Sequence, residues 1–281
     1  MKVLHLESTD VCQLACPLCA RETNPKFNKK EHNHLTIEKI SKLLSVDSIS
    51  KLEKMFMCGN YGDPAAGKHT LEIYEYFRNI NTGIVLGMNT NAGLQSPDWW
   101  YRLACIFNQT YDYVVFSIDG LEDTNHIYRR NINWQKLMEN CASFINAGGS
   151  AHWDMLVYKH NQHQVYACEQ LAKDLGFTWF RAKVSKRPYI AGLEFPSGWT
   201  NPIVDRGEIF CMAEQEQSIY IDARGNMHGC CWLGNKLDNT LQVSDVKKTW
   251  NTNSPNKICY ETCSAKTNSF KSQWQREVQL K

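Results

Sequence analysis

No stretch of about eighteen consecutive apolar residues occurs in the chain, so no segment is built to cross a bilayer as a helix. The N-terminal Met-Lys-Val-Leu-His-Leu-Glu-Ser lacks the apolar core of a signal peptide, and export is not expected. Charge of one sign is missing too. The 31 Lys and Arg against 29 Asp and Glu leave a formal +2, which gives no electrostatic case for a nucleic acid or a membrane surface as partner. There is no low-complexity run and no block of like charge. With 43% hydrophobic and 21% charged residues, the composition is that of an ordinary globular protein. Its length suits one large α/β unit or a large unit with a small one.

Cysteine, by contrast, is abundant. Twelve cysteines in an exported protein would suggest disulfides. Here export is not expected and the cysteines cluster at metal-ligand spacings, so a reducing cytoplasm is the expected compartment. Cys12, Cys16 and Cys19 form Cys-x3-Cys-x2-Cys in TDVCQLACPLCA, residues 9–20, directly after a strand expected over residues 2–6. Thiolates at short loop spacings hold iron–sulfur clusters, and a cubane needs four ligands. Three cysteines therefore leave one iron open to something other than protein. Zinc uses similar spacings, and His32 or His34 could complete such a site. Spacing alone leaves both metals open.

Strand-like and helix-like segments alternate. Strands are expected over residues 2–6, 55–58, 84–88, 113–118, 153–158 and 178–184. Between them Ile37, Ile40, Leu43 and Leu44 share a helical face, as do Ile73, Phe77 and Ile80. Ser96-Pro97-Asp98 is a helix start leading into Trp100, Leu103 and Phe107. The stripe Trp134, Leu137, Met138, Cys141, Phe144 and Ile145 stops at Gly148-Gly149, and another helix runs from Val165 to Gly176. Six βα repeats in about 185 residues imply a parallel sheet with helices outside it. A closed eight-stranded barrel takes about 250 residues, so an open, partial (β/α)6 TIM-like barrel fits. Residues 186–210, with Pro188, Gly192, Pro196, Gly198 and Pro202, read as a linker or capping loop. Cys58, Cys105, Cys141 and Cys168 lie in strand or helix patterns and read as core thiols. The expected division is 1–185 for the barrel, 186–210 for the linker, 211–265 for a small cysteine-bearing module and 266–281 for a tail.

Reactive groups in such folds gather at the carboxyl ends of the strands, and these ends are polar and glycine-rich. After the second strand comes CGNYGDP, residues 58–64, whose Gly59 and Gly62 let backbone approach a ligand. After the third comes Asn89-Thr90-Asn91-Ala92-Gly93, and after the fourth Ser117-Ile118-Asp119-Gly120. Ser117 and Asp119 alternate, so they face one side of the strand end together. Read without further context, these are a glycine turn and capped strand ends. His126-Ile-Tyr-Arg129-Arg130 precedes the next long helix, and Lys159-His160-Asn161 ends the fifth strand. His160 and His163 read as polar loop residues.

Together these segments resemble the radical SAM (S-adenosylmethionine) superfamily across nearly the whole chain. The resemblance implies that Cys12, Cys16 and Cys19 hold a 4Fe–4S cluster whose free iron chelates the amino acid end of SAM. It implies that Gly59, Asn60, Gly62 and Asp63 stand in for the family's Gly-Gly-Glu-Pro turn, departing from it at Asn60-Tyr61 and Asp63. Asn91, Ser117 and Asp119 would line the SAM pocket, and Arg129 or Arg130, assigned here to Arg130, would pair with the SAM carboxylate. Leu18 replaces the aromatic residue that relatives carry before the third cysteine. Cys211, Gly225 and Cys230, spaced x13 and x4 and followed by Cys259-x3-Cys263, are similar to the twitch module, half of a SPASM domain, with an auxiliary 4Fe–4S cluster on a hairpin. Asp222-Ala-Arg-Gly225 reads independently as a hairpin turn. Cys230 and Cys231 are adjacent, so one ligates and one turns away. Zinc on the four thiolates is the structural alternative.

The implied activity is reductive cleavage of SAM to a 5'-deoxyadenosyl radical that removes a hydrogen atom from substrate. The electron would come from a donor such as flavodoxin or ferredoxin, and the auxiliary cluster would relay one. Relatives with these modules often modify peptides or proteins; others oxidise small-molecule alcohols or sugars. The first strand begins at residue 2, leaving no N-terminal peptide-binding extension, which weighs against a peptide. Arg181, Lys183, Lys186 and Arg187 are candidates for an anionic substrate group. A reading from another class is a metal-stapled binding or electron-transfer protein without radical chemistry. The SAM-like turns at successive strand ends argue against it.

Overall fold

The computed structural model describes residues 1–185, 190, 192–198, 206–234, 247–248, 252–264 and 275–281. Lys186, Arg187, Pro188 and Pro202 lie outside the described residues. Among the described residues nine strands form one sheet: β1 Val3–Leu6, β2 Lys54–Met57, β3 Val85–Thr90, β4 Tyr113–Ser117, β5 Ala151–Val157, β6 Trp179–Val184, β7 Ser218–Ile221, β8 Met227–His228 and β9 Arg276–Gln279. Their order is β8-β7-β1-β2-β3-β4-β5-β6-β9. Strands β1 to β6 are parallel in sequence order, β7 joins parallel to β1, and β8 and β9 run antiparallel to β7 and β6. This is a mixed α/β fold built on a parallel sheet, in keeping with the partial barrel that the βα alternation implies.

The described helices are α1 Ala20–Thr23, α2 Ile37–Leu43, α3 Val46–Ser50, α4 Thr70–Ile80, α5 Pro97–Ile106, α6 Glu122–Tyr128, α7 Trp134–Asn146, α8 Val165–Leu175, α9 Met212–Gln215, α10 Cys231–Gly234 and α11 Lys257–Cys263. Local chemistry sets their ends. The Ser96 hydroxyl accepts from the Trp99 N–H at the start of α5, with Pro97 at the first position, where its missing N–H costs nothing. Gly176 ends α8 at φ 86°, a left-handed conformation that glycine adopts without a Cβ penalty. No described helix is long and apolar enough to cross a membrane.

Burial alternates along β5 and β6. Leu4, Met55, Phe116, Trp153 and Phe180 face the helices and are fully buried, packed with Phe77, Trp100 and Phe144. Each such side chain contributes roughly 1.5–3 kcal/mol by leaving water. Residues between them, His5, Phe56, Ser117, Asp154, Arg181 and Lys183, are half-buried on the opposite face. Gly87 makes room there: a Cβ at this position would lie 2.6 Å from the Tyr113 ring. Of the four expected core thiols, Cys141 and Cys168 are buried, Cys58 is half-buried and Cys105 is exposed. Cys105 is a correction: it falls on the solvent side of α5, outside the stripe set by Trp100, Leu103 and Ala104.

Candidate functional site

The cysteine loop leaves the carboxyl end of β1. Asp10 anchors it by accepting from the Asn33 N–H and side-chain amide at 2.8 and 2.7 Å. Leu14, Cys16 and Leu18 pack with Tyr128 and Tyr158 in a small apolar cluster. Burial pushes the Cys12 thiol up to about 12, with Asp63 and the other two cysteines adding to the effect. Burial also raises Cys16, opposed by the Arg129 guanidinium. A bound metal deprotonates such thiols outright. Among the described residues no three His, Cys, Asp or Glu side chains converge on a single-ion site, and His32 is exposed. The three thiols are near enough to disfavour one another's ionisation. This donor set suits thiolates distributed around a cluster with one iron left open.

The turn after β2 packs directly onto this loop. A Cβ on Gly62 would stand 1.8 Å from the Thr9 carbonyl oxygen, and one on Gly59 would stand 2.2 Å from the Gly62 oxygen. Asp63 is buried and both its oxygens are filled: Oδ1 accepts from the Ala65 N–H (2.9 Å) and Thr90 hydroxyl (2.7 Å). Oδ2 accepts from the Asn91 N–H (2.7 Å) and Nδ2 (2.6 Å). Burial raises its pKa, partly offset by these donors. Asp63 thus ties the second strand end to the third. Asn91 carries the tie onward, accepting from Gln13 Nε2 at 2.6 Å and pointing Nδ2 at the Cys12 sulfur, 3.7 Å away. Asn60 turns elsewhere, donating to the Tyr220 hydroxyl (3.2 Å) and the Cys231 carbonyl (2.9 Å).

Asp119 is fully buried beyond β4. Its Oδ2 accepts from Arg129 Nε at 2.6 Å and its Oδ1 from the Leu156 N–H at 2.6 Å. Asn161 donates to the Asp119 carbonyl at 2.8 Å. Burial works against the Arg129 charge, but Asp119 and then Cys16 hold its pKa above the ordinary value. Arg130 is exposed. Of the two arginines after α6, Arg129 turns inward onto Asp119 and Arg130 faces solvent. Ser117 is half-buried on the sheet face opposite the helices, in register with Asp154, which pairs with Arg181 at 2.7 Å.

In the C-terminal segment Cys211, Cys230, Cys259 and Cys263 line one apolar cavity of about 20 Å³, with Trp232 and Leu233. Burial pushes Cys263 up to about 12, and the other three thiols add to it. Cys231 lies beside Cys58 instead, so of the adjacent pair Cys230 faces the cavity. The hairpin ahead of them turns at Asp222, which accepts from the Arg224 and Asn226 N–H groups and pairs with His228 at 2.9 Å.

Glu7 and Gln13 were not singled out from the sequence. The available signal for Glu7 was an acid ending an apolar strand, in Leu6-Glu7-Ser8.

The cysteine loop after β1 is thus met by turns from the ends of β2, β3 and β4. The chain belongs to the radical SAM superfamily, whose sequence profile matches residues 6–166. No curated protein matches the chain by sequence. Among solved structures, Streptococcus suis SuiB bound to S-adenosylmethionine superposes with TM-score 0.62 at 14% identity, covering 89% of this chain and 65% of that one. SuiB bound to its precursor peptide SuiA gives 0.61 at 13% identity, over 89% and 64%. Native anSMEcpe with bound AdoMet gives 0.61 at 13%, over 90% and 84%. At these identities the likeness is one of fold. The chain spans just under two thirds of SuiB's length.

Proposed function

We propose that this radical SAM protein modifies a peptide or protein, with one 4Fe–4S cluster on Cys12, Cys16 and Cys19 and a second, twitch-type cluster on Cys211, Cys230, Cys259 and Cys263. The observation that carries the reading is the chain of contacts from Asp63 through Asn91 to Cys12, with Arg129 and Asp119 beside Cys16. Bound together, a reduced cluster on these three thiols and SAM would supply one-electron cleavage of SAM to methionine and a 5'-deoxyadenosyl radical for hydrogen abstraction from substrate. The chain's own residues position and shield. We assign SAM contact to the backbone of the 59–62 turn, the Ser117 hydroxyl and the Arg129 guanidinium. Asp63, Asn91 and Asp119 act as positioning residues, because protein donors fill their carboxylate and amide groups. Leu14, Leu18 and Tyr158 exclude water from the thiols.

A peptide as substrate is supported by the neighbours solved with one, SuiB with SuiA and anSMEcpe with Kp18Cys peptide. We assign substrate contact to the half-buried polar side chains on the sheet face opposite the helices, Ser117, Asp154, Arg181 and Lys183. An oxidative outcome, with the auxiliary cluster taking the substrate electron and flavodoxin or ferredoxin as donor, completes the proposal. The test is anaerobic reconstitution with dithionite and SAM, read as deoxyadenosine release. Cys16→Ala is expected to abolish release, and full release in that variant would overturn the assignment. Incubation with peptide and small-alcohol panels, read by product mass, separates peptide modification from alcohol oxidation.

A further inference from the structure

The turn proposed to contact SAM is held from beneath by a group outside the turn. Glu7, one residue past β1 and almost fully buried, places Oε1 where it accepts from the Tyr61 N–H at 2.6 Å and the Gly62 N–H at 3.0 Å. Its Oε2 accepts from the Tyr220 hydroxyl. That hydroxyl in turn accepts from Asn60 Nδ2 at 3.2 Å, and the same amide donates to the Cys231 carbonyl at 2.9 Å. The result is a closed ring of hydrogen bonds running from Glu7 to the turn, through Asn60 to Tyr220 and back to Glu7.

The ring joins segments far apart in sequence. Tyr220 is carried by β7, in register with His5 on β1, and the Glu7 N–H donates to the Ile221 carbonyl at 2.9 Å. A Cβ on Gly234 would lie 2.4 Å from the Tyr220 ring, so residues just after Cys231 lie flat against it. The fit at the other end is as close, with a Cβ on Gly59 standing 2.9 Å from Glu7 Oε1. Without Glu7, two inward-facing amides of the turn would lack an acceptor, and each buried unsatisfied group is costly.

We infer that Glu7 and Tyr220 are positioning residues that clasp the 59–62 turn in its SAM-binding shape and make that shape depend on the seating of the C-terminal hairpin. The inference rests on the reading of this turn as a SAM contact. It predicts that SAM affinity is set partly by a residue more than two hundred positions away from β1.

Full-length protein, anaerobically reconstituted, tests it with two readouts: hydrogen exchange of the backbone amides over residues 59–63, and SAM affinity by equilibrium dialysis. Tyr220→Phe and Glu7→Ala are expected to speed exchange at residues 61 and 62 and to weaken SAM binding about tenfold, roughly the effect of one lost buried hydrogen bond. Iron held by Cys12, Cys16 and Cys19 should be unchanged. Glu7→Gln keeps an oxygen for both amides and should recover most of the protection, which a merely space-filling role would not explain. Asn60→Ala opens the ring at its half-buried member and replaces any deeper variant that fails to fold. Unchanged exchange in the ring-opening variants would overturn the clasp. Faster exchange with unchanged SAM affinity would instead overturn the assignment of the turn to SAM.

Discussion

Arg129 and Asp119 set the energetics at the scale of single residues. Asp119 has no exposed surface on its side chain, and Arg129 supplies the charge opposite it. Truncating one member of a buried pair leaves the other uncompensated, at about 3–5 kcal/mol. Arg129→Ala should therefore lower unfolding stability by about that much, whereas Arg130→Ala should change it by no more than about 0.5 kcal/mol. Equal urea midpoints for the two variants would refute the inward placement of Arg129. Which arginine of an adjacent pair turns inward depends on the exact end of α6, and spacing in the sequence does not resolve one residue of helix phase. Glu7 makes a second prediction. Burial raises it to about 7, against opposing bonds from Tyr220, Tyr61 and Gly62, and Asp222 pushes the same way as burial. The fold thus favours the protonated form. That contribution is fully present below about pH 4.5 and is lost as pH rises through about 7. His5 and His152, each lowered to about 4 chiefly by burial, slope the other way, so the comparison must be with a variant. Relative to Glu7→Gln, wild type should lose about 1–3 kcal/mol between pH 4.5 and 7.5 in urea melts. Parallel pH profiles for the two proteins would sink this.

Elements differ in how openly the sequence announces them. Helices α5, α7 and α8 carry both an apolar stripe and an end signal, such as Ser96 or Gly176, and α4 carries the stripe; these are local properties of the chain. Strands β1 to β6 fall within a few residues of the expected segments for the same reason. The placement of β7 beside β1 and of β9 beside β6 was not legible, because edge pairing is decided by long-range contacts rather than by local pattern. The glycines of the 58–64 motif were legible as a turn, but the sequence does not show that the turn presses on the cysteine loop. Gly62→Ala tests that contact. Its Cβ would meet backbone at 1.8 Å, so the turn must shift off the loop, with overpacking that costs about 1–3 kcal/mol and a loss of SAM binding. Gly83 is the control: nothing lies nearer than 3.8 Å to a Cβ there, so Gly83→Ala should leave both quantities unchanged. Matching effects from the two substitutions would mean that the turn and the loop are not in register as described.

For the whole molecule, the question is whether two thiol groups on one sheet hold two clusters. The three N-terminal thiols sit at the end of β1, and the four C-terminal thiols surround a cavity beyond β8, whose hairpin pairs with that same strand. Four protein thiols complete a cubane without room for SAM, while three leave an iron open. The two groups should therefore be separable by mutation. Anaerobically reconstituted wild type is expected to carry about eight irons, and a Cys259→Ala, Cys263→Ala double variant about four. On the proposed reading SAM cleavage would need only the N-terminal thiols, so the double variant should still release deoxyadenosine slowly but should form no product. It should also unfold more readily, because a cluster held there would couple its ligation to the folding of the segment. Cys231→Ala is the control that uses the observed orientation: this thiol lies by Cys58 rather than in the cavity, so its loss should leave the iron count unchanged. Two outcomes would reject the twitch reading. One is about four irons with one zinc in wild type, which would make the C-terminal segment a structural cap. The other is an iron count that falls with Cys231 and holds with Cys230.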